Sequence, residues 1–120
     1  MDAKEKEILM DAGIDVDGGI ERCMGNEALY KKLIKRIWQD TNYQEVLSGM
    51  EAGSMDQVLK AAHTLKGISG NLGFTRLYEI TEEIVKQIRE EHYEEIGDKI
   101  AELAENYEKV MSALDKTGNH

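Results

Sequence analysis

The chain has 120 residues, with 15 Lys and Arg against 24 Asp and Glu for a formal net charge of −9, and it contains 11 Gly, one Cys and no Pro. That length holds a single domain, expected over residues 1–120, with a core large enough to fold without a disulfide, which Cys23 alone could not form internally. The negative charge argues against nucleic acid and anionic membrane surfaces as partners, and neither a membrane-length apolar run nor a signal-type apolar N-terminus is present, so a cytoplasmic protein is expected.

Apolar residues recur at spacings of three and four rather than two, and the chain reads as all-α. A short helix is expected from about Lys4 to Met10 and a brief helical turn after Asp17. The run Asp15-Val16-Asp17-Gly18 resembles the start of a calcium loop, but Ile20 and Asn26 stand where that loop needs Gly and Glu, so a turn and helix cap is the expectation. A long helix follows over about 26–49, opened by the Asn26 cap and carrying Tyr30, Leu33, Ile34, Ile37, Trp38 and Thr41 on one face. The next, over 54–72, starts with Ser54 and Gln57 in capping-box spacing. It turns Val58, Ala62, Leu65, Ser69 and Leu72 inward and ends at Gly73, placed as a left-handed terminal residue. A third long helix over 75–90, with Thr75 as N-cap, is marked by Leu77, Ile80, Ile84 and Ile88. The fourth, over 92–115, has the stripe Tyr93, Ile96, Ile100, Leu103, Tyr107, Val110 and Leu114. Short connections between such helices predict an antiparallel four-helix bundle whose short N-terminal helical segments cap one end.

One stretch departs from what a plain bundle requires. Gly67 and Gly70 fall inside the helix over 54–72, each costing about 1 kcal/mol relative to Ala. With Leu65 and its neighbours inward, His63 lies about 100° around the helix and is expected on the surface. Lys66 and Gly67 are its i+3 and i+4 neighbours, and Gly70 follows on the same side. Neutral imidazole is a nucleophile near neutral pH and can accept a phosphoryl group, whose charge a lysine one turn away offsets. Glycines beside the ring leave room for another protein's active site, although Gly70 could equally serve close helix packing.

His63, Leu65, Lys66, Gly67 and Gly73 resemble, residue by residue, the phosphoacceptor motif of histidine-containing phosphotransfer (HPt) domains, and the likeness covers about residues 15–115. The resemblance implies a four-helix bundle with His63 as phosphoacceptor on an exposed helix face and Lys66 stabilising phosphate charge. Leu65 and Gly73 are its structural positions, and steric clearance for docking at Gly67 and Gly70 is expected from the bare glycines themselves. The function implied by the resemblance is a phosphorelay intermediate, taking a phosphoryl group from a receiver-domain aspartate and passing it to another. Partners would be response-regulator receiver domains or a hybrid sensor histidine kinase, and the protein a monomer. One position departs: where several members carry a polar residue on the next helix, this chain has Val85, so Glu82 or Lys86 would have to substitute or the role is absent.

No nucleotide-binding glycine loop is present, so the reading is a phosphocarrier without kinase activity of its own. No cofactor is expected, and the Mg²⁺ of transfer would belong to the receiver domain. His63, His92 and His120 are far apart in sequence, which argues against a metal site. Cys23 reads as a small apolar residue, and Trp38 and the methionines as core or rim. The competing reading is a receiver-binding helical adaptor that takes no phosphate; a helical metal carrier is a weaker third. Met1 at the start fits a complete chain.

Overall fold

The computed structural model describes all 120 residues. In chain order they form α1 (Ala3–Asp11), α2 (Val16–Arg22), α3 (Glu27–Ile34), a 3-10 segment (Lys35–Gln39), α4 (Asn42–Ala52), α5 (Met55–Leu72), α6 (Thr75–Arg89) and α7 (Ile96–Lys116). There is no strand, and no helix is long and apolar enough to cross a membrane. Helices α4 to α7 make the bundle, with α5 packed against both α4 and α6, and α6 in turn against α7. Stacking of Tyr43 on Tyr107, ring centroids 4.0 Å apart, brings α4 to α7. The apolar core is one continuous cluster from Leu9 to Leu114, to which α1, α2 and the loop between them contribute Leu9, Val16 and Ile14.

Local chemistry accounts for the helix ends. The side chains of Asp2, Asp15, Asn26 and Ser54 each accept a hydrogen bond from a backbone N–H three residues on, satisfying donors that a helix start leaves open. Asp15-Val16-Asp17-Gly18 is thus the cap of α2. At Ser54 only half of the expected box forms, because the Gln57 side chain donates to Glu45 on α4 instead of reaching back.

Four boundaries differ from the sequence reading. The helix expected over 26–49 is α3, which tightens into the 3-10 segment after Ile34, and then α4, with the break at Asp40, whose backbone is extended. The Asp40 carboxylate accepts from both the backbone N–H and the side-chain amide of Asn42, at 3.0 and 2.7 Å, and this local turn competes with continued helix. The second piece runs past Gly49 to Ala52, with Gly49 buried where a Cβ would come 2.8 Å from Val58. The helix expected from residue 92 starts at Ile96. Glu91 has φ +56, and His92 N–H bonds back to Gln87 C=O at 2.8 Å, a terminal motif that turns the chain away, so Tyr93 stands 44% exposed outside the stripe. Thr75 is the first residue of α6 rather than its cap; its N–H donates to Gly13 C=O at 3.0 Å.

That last bond belongs to a corner that fixes α5 against the N-terminal segments. Asp15 N–H donates to Gly73 C=O at 2.6 Å, Ile14 and Phe74 pair as an isolated antiparallel bridge, and the buried Tyr30 hydroxyl donates to Leu72 C=O at 2.7 Å. Gly73 has φ +78, and a Cβ there would lie 2.5 Å from the Asp15 carbonyl oxygen. Gly53, which ends α4 at φ +67, has no atom within 4 Å of the same position. Gly53→Ala should therefore cost about 1 kcal/mol for the left-handed backbone alone. Gly73→Ala should cost at least about 2 kcal/mol more, since backbone must shift. Urea unfolding of the two variants checks the difference, and equal losses would contradict the corner's role.

Burial, with the Asp15 charge adding to it, pushes the Tyr30 phenol well above its ordinary pKa of 10.0. The folded protein keeps this proton where the unfolded chain loses it. The contribution to stability is therefore complete below about pH 10 and shrinks as pH rises beyond it. Tyr30→Phe is expected to lose about 1 kcal/mol at neutral pH, where the bond to Leu72 is gone, and to show a shallower alkaline decline. Denaturation midpoints between pH 8 and 11 test both effects, and a parallel decline in the two proteins would exclude Tyr30 as its source.

Candidate functional site

α5 is amphipathic and central, so its outward ridge is the one strip of the helix that neither neighbour covers. Val58, Ala61, Ala62, Leu65, Ser69 and Leu72 are buried, while Lys60, His63, Thr64, Gly67 and Asn71 are exposed. His63 stands midway along this ridge, with Lys60 one turn before and Lys66 one turn after it. The expected inward face and the exposed histidine are both as the structure has them.

The two glycines differ. At Gly67 an added Cβ would have nothing within 4 Å, so the ridge beside His63 is open. At Gly70 it would lie 3.2 Å from the Tyr78 ring, which α6 lays over that position. Of the two readings left open for Gly70, clearance for a partner and close packing, the position of the Tyr78 ring favours the second. The glycine admits an aromatic side chain. Gly73 holds the corner described above, and Leu65 is fully buried beneath the ridge.

Lys66 does not extend freely into solvent. Its Nζ lies 5.8 Å from the centroid of the Tyr78 ring and 3.9 Å from the Glu82 carboxylate, and its side chain is 26% exposed. The Glu82 carboxylate, one turn along α6 from Tyr78, holds that phenol above its usual range. Val85 is buried in the core, Lys86 is exposed, and Glu82 is the polar residue of α6 that reaches the ridge through Lys66. Tyr78 was the residue missed in sequence: it sits one place beyond Leu77 in the apolar stripe of α6, and nothing local ties it to Gly70.

Elsewhere the candidate features are structural. Cys23 is buried, His92 is exposed near Glu90, and no group of three or more His, Cys, Asp or Glu is arranged to hold a metal ion. Trp38 lies at the rim, its indole N–H donating to Asn119 C=O at 2.7 Å.

The Hpt domain family model matches residues 28–113, a span that contains all of α3 but its first residue, the whole of α4 to α6, the His63 ridge and most of α7. The chain belongs to the Hpt domain family. Hpt domains carry phosphoryl groups on histidine in two-component relays, interact with receiver domains and histidine kinases, and are phosphocarriers rather than kinases. No curated protein and no solved structure matches the chain. The matched span begins after α2, so the corner built by Gly13, Ile14 and Asp15 is contributed from outside it.

The open surround of Gly67 gives a stability prediction separate from function. Gly67→Ala should raise stability by about 0.5–1 kcal/mol through helix propensity and a less flexible unfolded chain. Gly70→Ala should gain nothing or lose stability, because its methyl meets the Tyr78 ring. Thermal melts of both variants decide this, and a stabilised Gly70→Ala would mean that the ring yields freely.

Proposed function

We propose that this Hpt domain is a phosphorelay intermediate in which His63 is the phosphoacceptor. The observation that carries the reading is the exposed imidazole on an uncovered helix ridge, flanked by Lys66 and by the open side of Gly67. In the transfer, one ring nitrogen of His63 attacks the phosphorus of an aspartyl phosphate on a receiver domain. An N–P bond forms as the P–O bond breaks, and the aspartate carboxylate leaves with the bonding pair. The other ring nitrogen keeps its proton. Reversal toward a second receiver aspartate discharges the histidine. Lys66 offsets the phosphoryl charge at the surface, and Gly67 leaves the approach unobstructed.

The domain brings no nucleotide or metal to this step; the Mg²⁺ and acidic groups that stabilise the moving phosphoryl lie on the receiver. It acts as a cytoplasmic monomer, and residues 1–120 work as one unit because the N-terminal segments hold the C-terminal end of α5, the helix whose ridge carries His63.

Incubation with a phosphorylated receiver tests this. His63→Gln should keep the melting temperature and lose phosphate uptake, since the ring is exposed and supplies reactivity rather than packing. Gly67→Gln should fold as well as the native protein yet transfer on the order of a hundredfold more slowly, because near-contact geometry is lost. Lys66→Ala should keep helix content while slowing uptake or shortening the life of the phosphohistidine. Full labelling of His63→Gln would refute the assignment; binding of the receiver with no labelling of the native protein would mark an adaptor that takes no phosphate.

A further inference from the structure

The ammonium that would meet the phosphoryl group is tethered from the neighbouring helix. A lysine on an exposed ridge ordinarily spreads its charge over the reach of four rotatable bonds. Lys66 is instead drawn to the α5–α6 seam by two groups one turn apart on α6, the face of the Tyr78 ring and the Glu82 carboxylate. The ring can lie there because position 70 has no side chain. Both contacts to Lys66 are loose, at 5.8 and 3.9 Å. By comparison, Lys99 meets Glu83 on the same helix at 2.6 Å. A loose tether confines the ammonium to the α5–α6 seam without holding it back from a newly arrived phosphoryl group.

We infer that Tyr78 is a positioning residue for phosphotransfer: its ring, seated on Gly70, together with Glu82, holds the Lys66 ammonium at the α5–α6 seam one turn from the His63 imidazole. This rests on His63 being the phosphoacceptor. It gives Gly70 a part in the site that is indirect, since the glycine makes room for the ring that holds the lysine. It also makes the α6 contribution act through Lys66, where Val85 could not.

The experiment compares phosphate uptake from a phosphorylated receiver by the native domain, Tyr78→Met, Tyr78→Phe, Lys66→Met and the double variant Tyr78→Met/Lys66→Met. Methionine fills the space over Gly70 without a π face, whereas phenylalanine retains the face. The strength of an exposed cation–π contact sets the expected loss for Tyr78→Met at about two- to fivefold in uptake rate, with Tyr78→Phe close to native. In the Lys66→Met background the Tyr78 substitution should have no further effect. The ε-methylene protons of Lys66 should show an upfield ring-current shift in the native domain and Tyr78→Phe that is absent from Tyr78→Met. Equal slowing with and without Lys66 would overturn the inference, as would native rates in Tyr78→Met. A native domain that takes no phosphate would instead overturn the phosphotransfer reading itself and this role with it, while the ring-current shift would still report whether Tyr78 holds Lys66.

Discussion

The backbone corner at Gly73 sets the rotation of α5, and everything on the exposed ridge depends on that rotation. A helix can turn about its axis at modest cost if only apolar packing restrains it, because neighbouring stripes tolerate some slip. Here the C-terminal end of α5 is held by directional bonds as well: Tyr30 to the Leu72 carbonyl, Asp15 to the Gly73 carbonyl, and Thr75 to Gly13. Their geometry is met at one angle of α5. At that angle Leu65 and Ser69 point to the core, and His63 points away from it.

The same corner explains why α1 and α2 matter to a bundle that has four long helices without them. Their loop provides Gly13, Ile14 and Asp15, and the buried Leu9 and Val16 anchor that loop to the core. Gly73 is the point of closest approach, where left-handed backbone and lack of a Cβ are both required. Gly19 repeats the arrangement one layer away: a Cβ there would meet the Tyr30 ring at 2.2 Å, so the tyrosine that caps α5 is itself admitted by a glycine. Glycine at 70 does the same for Tyr78. Gly73, Gly19 and Gly70, like Gly49 against Val58, thus act by letting another part of the chain approach closely, while Gly67 leaves a helix surface bare beside the histidine.

Much of this was legible in the sequence, because it depends on local periodicity and on short-range chemistry. The 3.6-residue repeat is a property of the helix itself, so the inward face of α5 and the outward position of His63 follow from spacing alone. Caps at Asp15, Asn26 and Ser54, and the left-handed ending at Gly73, are decided within a few residues of each other. Lys66 and Gly67 are placed beside His63 by the same arithmetic.

What the tertiary structure alone decided lies between elements distant in sequence. The break at Asp40 and the late start of α7 at Ile96 occur where apolar spacing continues unbroken, because side-chain and terminal hydrogen bonds outcompete a helix that propensity would extend. The different fates of Gly67 and Gly70 come from the crossing of α6 over α5, which lays Tyr78 on one and leaves the other open. The partner of Lys66 is likewise a matter of which α6 side chains face the ridge, sixteen residues away at Glu82. Periodicity gives each helix its own faces but says nothing of the angle at which two helices meet, and that angle is what brings Tyr78 and Glu82 to the lysine beside His63.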